Sequence, residues 1–325
     1  MLSNKLKGYL LAAVAEITYG MNPLFTLPLY GAGMDANSVL FFRYLFALPI
    51  LALMLTLRGH SFRIAWRDVP VLALFGVLFA LSSLTLYQSY NYMDAGIAST
   101  LLFVYPLMVA LLMWICFRER ITLLTVLCIG TALAGIGLLY KGSDGSTLSS
   151  VGTLLVMGSA LSYAIYLVGV DHGRMKTIPT LKVTFYVLLF GWMVFAVSAL
   201  CNGKGIIFLA GGDACVPGVY RFVPPADKWY LWGNLLALGL LPTAISLLCT
   251  TKAISYIGPT PVAILGALEP ATAIFFGVTV FHEQLTLRDC IGLLLIVLAV
   301  TLVVAGGSLT NPLTRIRKLF PKRKQ

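Results

Sequence analysis

The chain has 325 residues, 59% of them hydrophobic and only 11% charged, against about 25% charged in an ordinary globular chain. With a mean hydropathy of +0.92, this composition excludes a soluble enzyme, a disordered chain and a disulfide-rich secreted scaffold. The formal charge of +11 would suggest nucleic acid in a soluble protein, but here the basic residues fall in loops and a tail, as the positive-inside rule describes.

Only helices and closed barrels can span a bilayer, because the backbone must satisfy its own hydrogen bonds there. Long unbroken apolar runs, rather than alternating segments of about 10 residues, identify helices. Ten spans follow in chain order. Span 1, roughly 8–29, carries Glu16, Tyr19, Asn22 and Pro23, and is too long and interrupted for a signal peptide. Span 2, roughly 37–57, carries Arg43, and span 3, roughly 70–90, ends with Tyr87 and Gln88. Span 4, roughly 95–116, contains Tyr105 and Pro106, and span 5 runs roughly 121–140. Span 6, roughly 150–170, contains Ser162 and Tyr166, and span 7 covers roughly 180–201. Span 8, roughly 229–251, carries Lys252 at its inner end. Span 9, roughly 259–281, carries Glu269 and Pro270, and span 10 covers roughly 289–306.

With the N-terminus in the cytoplasm, sixteen Lys and Arg lie on the inner side and five on the outer. That bias places both termini inside. The basic tail 309–325 is read as a segment lying on anionic headgroups, not as a nucleic-acid patch.

The chain repeats itself. At an offset of 164, Tyr92 falls on Tyr256, Pro106 on Pro270, Glu119 on Glu283 and Thr122 on Thr286. At an offset of 144, Gly8-Tyr9-Leu10-Leu11 answers Gly152-Thr153-Leu154-Leu155, and Thr18-Tyr19 answers Ser162-Tyr163. Chance aligns Leu with Leu easily, but not Pro and Glu at one separation in both halves. The expected organisation is two five-helix units, 1–143 and 144–308, then the tail. Five is odd, so the second unit enters the membrane from the opposite side. Such inverted repeats characterise secondary transporters.

These features resemble a family. The paired Pro–x12–Glu-Arg/Gln-Ile/Leu-Thr blocks, the opening G-x-L-L-x-x-x-x-A-x-x-x-Y-G and the arginine in span 2 are similar to the EamA branch of the drug/metabolite transporter superfamily. The resemblance covers nearly the whole chain. It implies ten helices, cytoplasmic termini and a central cavity lined by spans 1, 3, 4, 6, 8 and 9. It also implies export of small metabolites or amino acids. The long segment 202–228 between spans 7 and 8 departs from the pattern.

Ionisable groups inside a bilayer are expensive and usually face a cavity or a partner. A rise of about 1.5 Å per residue puts Glu16, Arg43 and Glu269 in one central slab. The functional reading is a proton site or an ammonium contact; the structural one is a buried pair with Arg43. Desolvation favours the protonated form of a carboxyl group, which makes Glu269 the first candidate for a proton site and Glu16 the second. Lys252 reads as a snorkelling side chain or an inner-gate contact. Glu119 and Glu283 read as helix-end residues. Pro23, Pro106 and Pro270 each remove a backbone donor and kink their span. Tyr19, Asn22, Tyr87, Gln88, Tyr105, Ser162 and Tyr166 are polar or aromatic candidates for the cavity.

There is no Walker loop and no HExxH, and His60, His172 and His282 lack metal spacing. No enzymatic activity, metal or cofactor is expected. The six cysteines form no CxxC pair, although Cys201 and Cys215 both fall on the outer side, where a disulfide is a further expectation. The leading reading is a secondary transporter exporting small polar metabolites such as amino acids across the cytoplasmic membrane. The alternative is anionic cargo such as nucleotide sugars or phosphorylated metabolites, for which several basic groups in the cavity would be needed. Its partners are a small-molecule substrate, membrane lipid and protons, with no role for nucleic acid.

Overall fold

The computed structural model describes residues 3–89, 92, 98, 101–118, 122–139, 149–171, 173–201, 229–279, 287–288 and 290–302. Glu119, Glu283, Thr286, the 202–228 segment with Cys215, the tail and the 143/144 boundary lie outside these residues, as does the side chain of Cys201. Among the described residues there are helices and no strands. In chain order they are α1 (Asn4–Gly20), α2 (Asn22–Gly31), α3 (Ala36–Leu57), α4 (Val69–Ser89), α5 (Tyr105–Phe117), α6 (Leu123–Leu139) and α7 (Ser150–Asp171). They continue as α8 (Thr180–Cys201), α9 (Trp229–Gly239), α10 (Ser246–Ile257), α11 (Pro259–Leu265) and α12 (Leu268–Thr279). The last is α13 (Cys290–Leu302). A single 3₁₀ turn covers Gly173–Thr177, and a π-helical turn, Leu240–Ile245, joins α9 to α10.

Among the described residues, five stretches are long and apolar enough to cross a membrane: Ala36–Leu57, Val69–Ser89, Ser150–Asp171, Thr180–Ser198 and Tyr230–Ile257. Three of the other spans are broken within the described residues. Their breaks have a common cause. Pro106 lies in the first turn of α5, Pro23 is the second residue of α2 and Pro270 the third of α12. Proline lacks an N–H, and the first turn of a helix has no partner for one, so proline starts helices more readily than it continues them. The three prolines therefore do more than kink their spans: each opens a new helix. The chain turns at Met21 before α2, at Phe103-Val104 before α5, and at Gly266-Ala267 before α12. The result is a ten-span all-α membrane fold in which spans 1, 4 and 9 are discontinuous.

Helix starts carry the expected caps. Asp35 accepts from the Ser38 N–H at 3.1 Å, Thr122 from that of Thr125 at 3.2 Å and Ser149 from that of Gly152 at 3.3 Å. Each satisfies one of the orphan donors of a helix N-terminus.

The halves pack across one another. Helix α1 lies against α10 and α12, α3 against α8 and α9, α4 against α7 and α8, and α5 against α7 and α11. One continuous buried cluster, including Leu40, Leu51, Val109, Tyr166 and Ala263, runs between them. Leu53, Leu57, Leu74, Leu123, Leu154 and Leu294 are more than half exposed, which is the apolar outer surface that a lipid-facing bundle presents. Two glycines allow the α1 contacts. A Cβ on Gly8 would sit 2.6 Å from Ile257 Cγ2, and one on Gly20 2.6 Å from the Glu269 carbonyl oxygen.

Span 8 is longer than its hydropathy suggests, continuing past Lys252 to Ile257. Lys252 is exposed, and its Nζ lies 5.0 Å from the centre of the Tyr256 ring.

Gly8→Leu is expected to force α1 away from α10 and to destabilise the protein by about 1–3 kcal/mol, the usual cost of overpacking. Leu10→Met, on the half-exposed face of the same helix, is expected to leave stability unchanged. Thermal unfolding of the purified variants checks both.

Candidate functional site

Arg43, on α3, is 1% exposed, and its guanidinium is held by neutral groups. Its Nε donates to Thr243 Oγ1 at 2.7 Å, Nη2 to the Pro242 carbonyl at 3.2 Å and Nη1 to the Tyr87 hydroxyl at 3.4 Å. The Tyr19 ring centre lies 5.4 Å from its Cζ. A buried cation needs such partners, because the charge loses its hydration.

Two of the partners come from the π turn. A π turn carries one residue more than an α-helix would, and such turns recur at functional sites. Pro242 sits inside it and withholds an N–H from the ladder. Thr243 donates to the Leu238 carbonyl at 2.8 Å, which aims its oxygen at Arg43.

Glu16 and Glu269 lie beside this group. Glu16, on α1, is 4% exposed, and Glu269, in the first turn of α12, is half-buried. They are close enough to interact electrostatically with one another, and Glu269 interacts with Arg43. Neither is within 4 Å of a guanidinium nitrogen, so Arg43 makes its short contacts with Thr243, Pro242 and Tyr87, not with a carboxylate. Glu269 also occupies the end of α12 where the helix dipole favours negative charge.

Aromatic residues complete the wall. Tyr105, at the start of α5, meets Tyr163 of α7 edge to face with ring centres 5.0 Å apart. Both interact electrostatically with Glu16 and Glu269. The Tyr105 hydroxyl lies where a Cβ on Gly266 would be, so glycine leaves room for that ring at the break in span 9. Asn22 and Thr26 stand four residues apart on α2, hence on one face. Their side-chain oxygens, Oδ1 and Oγ1, are buried without a hydrogen-bond partner, and α2 packs against α12.

The structure thus gathers Glu16, Tyr19, Arg43, Tyr87, Tyr105 and Glu269 into one cluster. Asn22 stands at the adjoining break in span 1. Tyr166 is buried, but its hydroxyl is engaged with Thr251 at 3.3 Å. Ser162 is buried and Gln88 half-buried, and no hydrogen bond ties either to the cluster among the described residues. Sequence reasoning missed Tyr163 as a site residue, although its alignment with Tyr19 was visible. It also missed Pro242 and Thr243, whose signal was one more proline inside an apolar span. Among the described residues, no group of three His, Cys, Asp or Glu could hold a metal ion.

Comparison with known proteins identifies the family. The sequence model of the EamA-like transporter family matches residues 6–141 and again 150–305. An uncharacterized transporter of Bacillus subtilis (strain 168), YvbV, is 26% identical over 310 residues, covering 92% of both chains. An uncharacterized transporter of Archaeoglobus fulgidus is 28% identical over 261 residues, covering 80% of this chain and 83% of its own. A third relative, the uncharacterized transporter sll1319 of Synechocystis, is 27% identical over 234 residues. The match takes in 70% of this chain and only 64% of the Synechocystis protein. A solved crystal structure superposes with a TM-score of 0.72 at 20% identity, over 91% of this chain and 95% of the other, which shows the fold alone. With two matches that together span nearly the whole sequence, the chain belongs to the EamA-like transporter family.

Proposed function

We propose that the protein is a secondary transporter that exports small zwitterionic metabolites, amino acids foremost, across the cytoplasmic membrane by alternating access. The observation that carries this reading is the mixed charge of the buried cluster. Arg43 offers a guanidinium, of whose five N–H donors three are used in the bonds described. Glu16, Glu269 and the unpartnered Asn22 Oδ1 offer acceptors nearby. A zwitterion presents the complement: a carboxylate for the guanidinium and an ammonium for the acceptors. An anionic cargo would meet two carboxylates.

Three further points support the mechanism. The family model matches each half separately, in line with two units of opposite orientation. Discontinuous helices at the site are what an alternating-access carrier needs, since broken backbone is tolerated at depth where it lines a cavity. The relatives named above are described as transporters, and none of the motifs in the sequence indicates an enzyme or a nucleotide-driven pump. Energy then comes from the substrate gradient or from protons, with Glu269 as the coupling group and Glu16 as its neighbour.

Three outcomes are expected. In proteoliposomes, Glu269→Gln should abolish amino-acid uptake driven by an imposed pH gradient while retaining substrate exchange. Wild-type transport indifferent to the gradient would overturn proton coupling, and loss of exchange together with driven uptake would reassign Glu269 to binding. Arg43→Lys keeps the charge but loses the planar fork; it is expected to raise the substrate KM at least tenfold, measured in the same vesicles. For topology, reporters fused after Arg63 and at the C-terminus should read cytoplasm and one near Ala214 should read outside. A cytoplasmic signal at Ala214 would refute the span count.

A further inference from the structure

A cavity of about 630 Å³ lies away from the Arg43 cluster, between α1, the end of α3, the 3₁₀ turn, the start of α8 and α10. Its volume falls within the usual range for small-ligand sites. Its charged lining is wholly basic, set among the hydroxyls of Thr177, Thr180 and Ser255: Arg58 follows α3, Lys176 belongs to the 3₁₀ turn, Lys252 comes from α10, and His60 stands beside them. Leu11 and Leu248 form part of an apolar wall.

The charges are poorly neutralised. Lys176 pairs with Asp171 at 3.4 Å. Among the described residues, neither Arg58 nor Lys252 has an ion-pair partner, and Lys252 has only the face of Tyr256. The N-terminal residues of α8, a 22-residue helix, form part of the wall, and the positive end of the helix dipole adds to the field there. A cleft lined with one sign of charge and low-dielectric walls concentrates counter-ions.

We propose that this cavity is an oxyanion site. It takes the phosphate or carboxylate groups of a compact, multiply charged anion, with Arg58 and Lys252 as the principal contacts and Lys176 as a third, shared with Asp171. The same chemistry is offered by a soluble metabolite and by an anionic lipid headgroup. The site is distinct from the mixed-charge cluster: Leu11 lies five residues before Glu16 on α1, about 7.5 Å along the helix axis. It does not depend on the transport reading, and its test is binding.

The probe is inorganic pyrophosphate, added to the full-length protein in phosphatidylcholine nanodiscs, with sodium chloride at matched ionic strength as the reference. A ligand that binds only the folded state raises the unfolding temperature, by an amount that grows with the logarithm of its concentration above Kd. Such a rise with pyrophosphate is expected. Arg58→Gln and Lys252→Gln, each at an exposed position, are expected to weaken the apparent affinity at least tenfold. Arg63→Gln, an exposed residue outside the cavity lining, should leave it unchanged. A rise produced by phosphatidylglycerol nanodiscs alone, with nothing added by pyrophosphate and lost in the same variants, assigns the site to a lipid headgroup. A rise only in the presence of pyrophosphate assigns it to a soluble anion. No rise with either, or a rise that survives in both variants, overturns the proposal.

Discussion

A guanidinium that cannot reach water sets the terms for the centre of this protein. Arg43 is always charged, and an unpaired charge in a low-dielectric interior is prohibitively costly. The fold surrounds it with a threonine hydroxyl, a proline carbonyl, a tyrosine hydroxyl and a tyrosine face. These come from α4, α1 and the turn between α9 and α10. One side chain therefore binds three helices of the first half to a segment of the second. Neutral partners leave the positive charge uncancelled, so the cluster keeps a field that neighbouring carboxylates and an incoming anion both feel.

The same absence of water governs the backbone. A helix satisfies its own N–H and C=O groups, and every interruption at depth must find another solution. Here the interruptions are gathered near the charged residues: Gly20 ends α1 against the Glu269 carbonyl, α5 opens at Tyr105, and the π turn opens its backbone toward Arg43. Breaks that would be liabilities on the lipid face become the polar lining of the interior. The different charge at the two places, acid beside base at the centre and basic side chains among hydroxyls at the end of α3, follows from which loops and breaks reach each place.

Much of the architecture was legible because membrane spans are defined by length and apolarity. Those two properties located the spans and the residues that violate them: Glu16, Arg43 and Glu269. They did not reveal helix geometry within a span. Pro106 and Pro270 read as kinks in continuous helices, whereas the chain uses them in first turns, where the missing N–H costs nothing. Hydropathy also put the inner end of span 8 near residue 251; the backbone hydrogen bonds, indifferent to side-chain polarity, continue the helix to Ile257. At the site, Tyr163 and Tyr166 are three residues apart on one helix, and the repeat alignment of Tyr163 with Tyr19 was the sequence signal that separated them. Packing gives them different surroundings, with Tyr166 engaged by Thr251 and Tyr163 set against Tyr105. Thr243 was illegible for a related reason. A threonine in an apolar run ordinarily satisfies itself on its own helix, and nothing local shows that a distant arginine will need it.

The π turn at Leu240–Ile245 gives span 8 one residue of slack. If that turn were to rewind into ordinary α geometry, everything beyond it would rotate by about 100° and shift by about 1.5 Å along the axis. Thr251 would swing away from Tyr166, Lys252 would leave its place in the basic cavity, and Arg43 would lose the bond it donates to Thr243. A single register step in one helix would thus rewrite both polar sites together, which makes span 8 the mechanical link between the middle of the membrane and its surface.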